Sequence, residues 1–111
     1  MATYNEIKIN YDNSKKKATK IEELAEQLRA IARNDLDETL NMLSNEWKGE
    51  SSTAFLHKGE ALKDELLKTA NLMDRSARSI RATAKKIYDT ERAAIDLIES
   101  HKKMNGGGAS W

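Results

Sequence analysis

The stretch Asn45-Glu46-Trp47-Lys48-Gly49-Glu50-Ser51 decides the fold of this 111-residue chain. It holds one of two tryptophans and one of five glycines, three of which lie together near the C-terminus. Gly49 can adopt a left-handed backbone conformation that ends a helix without a side-chain penalty. Ser51 or Ser52 can cap a following helix by accepting a bond from a free backbone N–H. One helix therefore stops and another starts within a few residues, which predicts an αα-hairpin.

Upstream of the turn, apolar residues recur as Ile21, Leu24/Ala25, Leu28, Ile31/Ala32, Leu36, Leu40, Leu43 and Trp47. Steps of three and four place these on one helical face, so helix 1 is expected over about residues 11–46. Before it, Ile7, Ile9 and Tyr11 alternate with polar residues, which suggests an extended stretch at 6–9. Asn10 is the expected N-cap, with Asp12 near the positive end of the helix dipole.

Downstream, Phe55, Leu62, Leu66, Thr69, Met73, Ala77, Ile80, Ala84, Ile87, Glu91, Ala94 and Ile98 form a nearly strict seven-residue repeat. This predicts helix 2 over about residues 52–103, with left-handed, coiled-coil-like packing. Asp64–Lys68 and Asp74–Arg78 are spaced as i,i+4 ion pairs for the outer face. Gly59 costs about 1 kcal/mol relative to alanine in a helix, and its missing side chain leaves room for a close neighbour.

The fold class is thus all-α, an antiparallel two-helix hairpin. Residues 1–104 are expected as one helical-hairpin domain and 105–111 as a flexible Gly-rich tail. Helices of these lengths span about 50 and 75 Å, so Ile95, Leu97 and Ile98 project beyond helix 1. A two-helix hairpin buries one side of each helix and lacks a closed core. Pairing with a second hairpin into a four-helix bundle dimer would complete it. The expected interface residues are Leu28, Leu36, Leu40, Leu43, Phe55, Leu62, Leu66, Met73, Ile80 and Ile87.

Composition narrows the function. Apolar residues make up 39% and charged residues 33%, with no proline, the profile of coiled coils and bundles. A net charge of +1 does not suggest a strongly basic nucleic-acid binder. With no cysteine, disulfides, thiolate chemistry and Cys-based zinc sites are excluded. His57 and His101 stand apart from any nucleophile or metal-ligand pattern, and no Gly-rich phosphate loop follows a strand. We therefore expect no catalysis, no cofactor, no metal and no small-molecule substrate. The N-terminal residues Met1–Asn10 lack the apolar core of a secretory signal, and no apolar run is long enough to span a bilayer. By these signals alone the chain would be cytosolic.

At Trp47-Lys48-Gly49 the sequence resembles the WXG-motif, ESAT-six-like proteins: about 100 residues, two long helices and a central Trp-x-Gly turn. The resemblance covers roughly residues 7–92. Glu46 before the tryptophan and Phe55 opening helix 2 also match the family pattern. It implies a leaderless substrate of the type VII (ESX-like) secretion system of Gram-positive bacteria, cytoplasmic before export. It also implies export in folded, dimeric form by a membrane ATPase.

The family's export signal, Tyr-x-x-x-Asp/Glu, finds its nearest counterpart here in Tyr88 and Glu91. The acid falls three residues after the tyrosine, where both remain neighbours on a helix face; Arg92 stands at the fourth. Two readings of Tyr88 stay open: export signal, or a large residue flanking Ile87. Trp47 similarly seals the turn end of the bundle or serves recognition. Implied partners are a second copy, a related helical-hairpin protein, or the helical N-terminal region of a toxin, together with the secretion ATPase. An alternative is an adaptor that targets a larger secreted toxin. The stripe Arg75, Arg78, Arg81 and Lys85 supports a third, nucleic-acid-binding reading, which the low net charge disfavours.

Overall fold

The structure, a computed structural model, describes residues 3–108, with side chains through residue 103. The elements are α1 (Tyr4–Ala30), a π-helical turn (Ile31–Leu36), α2 (Asp37–Glu46) and α3 (Glu50–Gly108). No strand occurs among the described residues, and the all-α helical hairpin stands. Two compact units make up the chain. One is Thr19–Ala77; the other combines Met1–Ala18 with Arg78–Trp111.

In the Thr19–Ala77 unit the chain reverses at Gly49, whose φ is +120°. Trp47 ends α2 in extended backbone, φ −113° and ψ 119°, while its N–H donates to Leu43 O. The cap at the start of α3 differs from expectation. The Ser52 hydroxyl does not accept a backbone N–H; it donates to Gly49 O at 2.7 Å and is buried. Thr53 Oγ1 donates to the same carbonyl at 3.2 Å. Both hydroxyls thus satisfy one turn carbonyl, as Ser and Thr do when they bond back along the chain.

Helix 1 is not one uninterrupted α-helix. The buried residues Ala25 and Ala32 are seven apart, but the next buried position, Leu40, comes eight residues later. A continuous α-helix would rotate that extra residue off the seam, because 3.6 residues complete a turn. The π-helical turn at Ile31–Leu36 absorbs it, as single π-turns inside helices do. On α3, Gly59 receives Leu40: a Cβ at Gly59 would lie 3.1 Å from Leu40 Cδ1 and 3.2 Å from Cγ. The missing side chain admits a close neighbour, as expected, and the neighbour is Leu40.

Polar bridges fix the register on either side of the π-turn. Arg29 donates to Glu26 on its own helix and to Asn71 and Asp74 across the pair. Lys63 bonds Asp37 at 2.9 Å and lies 3.2 Å from Glu60. Asp74 therefore faces α1 rather than forming the expected outer-face pair with Arg78. Lys68 lies 3.8 Å from Glu65 rather than on the expected Asp64, since i,i+3 neighbours are also within reach.

The seam itself is built of small residues. Ala25, Ala32, Ala70 and Ala77 are fully buried. With Arg29 bridged to Asn71 and Asp74, Ala32 stands level with Ala70 and Ala25 with Ala77. The larger members of the expected stripe lie to the sides: Leu24, Ile31, Phe55 and Leu62 are exposed, and Leu28, Leu36, Leu43, Leu66 and Met73 half-buried.

In the other unit, α1 begins at Tyr4, so residues 6–9 are helical rather than extended and Asn10 is not the N-cap. Thr3 takes that role: its Oγ1 accepts from Glu6 N–H at 3.2 Å. Thr3-x-x-Glu6 is a capping-box spacing. The apparent alternation resolves into helical phase, with Ile7 buried, Tyr11 half-buried one turn later and Ile9 exposed. Ala18 and Ala84 are the buried small residues here. At the far end α3 runs to Gly108, beyond the expected end near 103 and into the segment read as a tail. Residues 109–111 lie outside the described residues.

Candidate functional site

Trp47 and Phe55 come together across the turn, ring centroids 5.8 Å apart and tilted by 53°. The Trp47 ring is not enclosed within its own hairpin: the residue is 41% exposed and Phe55 is also exposed. Lys48 Nζ donates to Ser44 O at 2.8 Å, which satisfies a terminal carbonyl of α2 and holds the turn close. A fully buried tryptophan would cost about 3–5 kcal/mol on truncation to alanine. At this exposure Trp47→Ala is expected to cost only about 1–2 kcal/mol, measured as a denaturant midpoint shift.

Tyr88 and Glu91 sit together, as their spacing implies. Both line a cleft of about 140 Å³ with Ile7, Asn10, Tyr11, Ser14, Ala84 and Ile87. The Tyr88 ring stacks on Tyr11, centroids 4.7 Å apart and planes 25° from parallel. Tyr4 lies close to Tyr88, and Arg92 approaches both from the next turn of α3. The Arg92 guanidinium lies 5.4 Å from the Tyr4 ring centroid, within cation–π range. All three tyrosines of the chain thus meet in one cluster. Sequence reasoning does not assign Tyr4 and Tyr11 to this site, because an extended stretch at 6–9 puts them on no common helical face. The Thr3-x-x-Glu6 box was the signal that would have put Tyr4, Ile7 and Tyr11 on one helical face.

The basic stripe divides. Arg78, Arg81 and Lys85 line an open groove of about 490 Å³ with Tyr11, Lys15 and Ala82, whereas Arg75 is not part of it. Several of these charges are answered locally: Lys85 bonds Asp89 at 2.8 Å, and Lys15 lies 3.5 Å from Asp12 and over the Tyr11 ring. Ile87 and Leu62 are exposed and Ile80 half-buried. Among the described residues no group of three His, Asp or Glu side chains is placed to hold a metal ion. No helix among them is long and apolar enough to cross a membrane.

A tyrosine and two lysines are among the groups that hold their protons more tightly than usual. Tyr4 is raised above its ordinary 10.0, first by lost hydration and then by Tyr88 beside it. Lys63 is raised above 10.5 by its bonds to Asp37 and Glu60, and Lys85 by Asp89. A folded-state pKa above the unfolded value stabilises the fold fully below the unfolded pKa, and the gain is lost as pH rises through the folded one. The melting temperature should therefore hold to about pH 9 and fall as pH passes about 10. A thermal-melt series from pH 7 to 11 checks this; a flat profile through 11 would contradict it.

Over residues 6–92 the sequence matches the family model WXG100, proteins of 100 residues with WXG. No curated protein and no solved structure gives a significant match.

Proposed function

Because the chain belongs to the WXG100 family, the ESAT-6-like substrates of type VII secretion, we propose that it is exported in folded form from a Gram-positive bacterium as a dimeric four-helix bundle without enzymatic activity. Residues 1–104 act in this reading as one hairpin domain. The observation that carries it is the alanine seam. Ala25, Ala32, Ala70 and Ala77 close each hairpin on small side chains, which leaves Leu24, Ile31, Phe55, Leu62 and Ile87 exposed. Flanking apolar rows of this kind are what a second hairpin covers in a helical bundle.

Within this reading Leu28, Leu36, Leu40, Leu43, Phe55, Leu62, Leu66, Met73, Ile80 and Ile87 supply the bundle interface. Leu40 serves it indirectly, since it is buried within its own hairpin. Trp47 and Gly49 form the turn, and the exposed Trp47–Phe55 pair offers a recognition surface there. Tyr88 and Glu91 are the export signal, presented on one cleft despite the shortened spacing. The partner that reads them is the secretion ATPase.

Deleting that ATPase in the source organism and assaying the culture medium tests the reading. The protein should vanish from the medium and accumulate in the cell; an unchanged extracellular level would refute secretion by this route. A second reading is an adaptor that pairs with the helical N-terminal region of a larger toxin. The exposed Leu97 and Ile98 on α3 favour it. Co-expression with adjacent gene products should then yield a stable complex, and a chain that only self-associates would dismiss the adaptor.

A further inference from the structure

We propose that the N-terminal segment of α1 is part of the export signal, with Tyr11 as the residue that positions Tyr88. The proposal rests on Tyr88 and Glu91 being what the secretion ATPase reads. In the structure those two residues do not form a free-standing motif on α3. Half of the cleft they line is built by Ile7, Asn10, Tyr11 and Ser14. The Tyr11 ring covers one face of Tyr88, and Tyr4 and Arg92 crowd beside it. Tyr88 is therefore presented in one orientation, set from α1.

The cleft also indicates what it receives. The buried Ile7 and Ala84, with Ile87, give it an apolar lining, to which Glu91 adds a carboxylate. Among the described residues no hydrogen bond or ion pair engages Glu91, whereas Arg92, at the place of the usual acid, lies over the Tyr4 ring. Such a site fits a side chain with an apolar stem and a basic tip, lysine or arginine, from the ATPase. Arg92 locks the tyrosines, and Glu91 is the acid left for the partner.

The test compares secretion of the full chain carrying Tyr88→Ala, Tyr11→Leu, Tyr11→Phe or Tyr4→Phe, with circular dichroism and melting temperature measured on each purified protein. Tyr11→Leu keeps apolar bulk but removes the stacked ring; Tyr11→Phe keeps the ring. The expected result is secretion lowered about tenfold, a difference of about 1.4 kcal/mol in recognition, by Tyr88→Ala and Tyr11→Leu. Tyr11→Phe should secrete as wild type, and both Tyr11 variants should melt within a few degrees of it.

Wild-type secretion of Tyr88→Ala would overturn the underlying reading of the signal. Secretion lost with Tyr88→Ala but retained with Tyr11→Leu would overturn this inference alone. Should Tyr11→Leu fail to fold, Tyr4→Phe decides, since it removes only a hydroxyl at an exposed residue. Reduced secretion supports the inference, and wild-type secretion rejects it.

Discussion

Leu40→Ala is expected to lower the unfolding free energy by about 2–5 kcal/mol, the range for truncating a buried leucine. Leu40 is only 3% exposed and fills the space left by Gly59 on α3. Alanine at 40 would empty the contact from both sides, because Gly59 has no side chain with which to close the gap. The effect should also be coupled. Gly59→Ala in the wild-type chain drives its Cβ onto Leu40, so displacement of Leu40 offsets the gain in helix propensity of about 1 kcal/mol. In the Leu40→Ala background the same change meets open space and should recover about 1 kcal/mol. A double-mutant cycle by denaturant unfolding at one protein concentration measures this. Strict additivity would show that the two residues do not touch.

Ala77→Leu carries the second large effect, and its direction runs against what hydrophobicity suggests. Position 77 lies in the apolar repeat of α3, where leucine would ordinarily strengthen a coiled-coil seam. Ala77 is fully buried, however, as is Ala25. The two helices approach on alanines, and added methylenes must push them apart or leave their rotamers. Overpacking of this kind costs about 1–3 kcal/mol. The displacement would also strain the bridges from Arg29 to Asn71 and Asp74 nearby. Far-UV circular dichroism should stay helical while the melting temperature falls. Leu62→Ala is the contrasting control. Leu62 is half exposed within its own chain, so its truncation should matter mainly where a second hairpin covers it, seen as weaker self-association by light scattering.

Much of the architecture was legible beforehand because it follows from local chemistry. Gly49 between two amphipathic runs announces a reversal, since few residues other than glycine adopt positive φ at low cost. The three- and four-residue spacings place Ile21, Leu24 and Leu28 on one face whatever surrounds them. Tyr88 and Glu91 line one cleft because helical geometry makes i and i+3 neighbours. The family pattern at Trp47-Lys48-Gly49 needed no more than the tripeptide's position between those helices.

Other features depended on which surfaces meet. Leu24/Ala25 and Ile31/Ala32 are adjacent pairs, and periodicity alone cannot choose the member that enters the seam. Close approach of the helices selects the alanines and turns Leu24 and Ile31 outward. The eight-residue step from Ala32 to Leu40 becomes a π-turn because Gly59 opens a place for Leu40 on α3, which only the pairing reveals. Arg29 and Asp74 are separated by 45 residues along the chain, so no local rule could join them. The same holds for Tyr11 and Tyr88, on which the surroundings of the candidate signal depend. Sequence by itself determined helix, turn and family, because these arise from backbone preference and short-range periodicity. Tertiary structure decided which residues of each stripe are hidden, since that choice belongs to the distance between two helices rather than to either one.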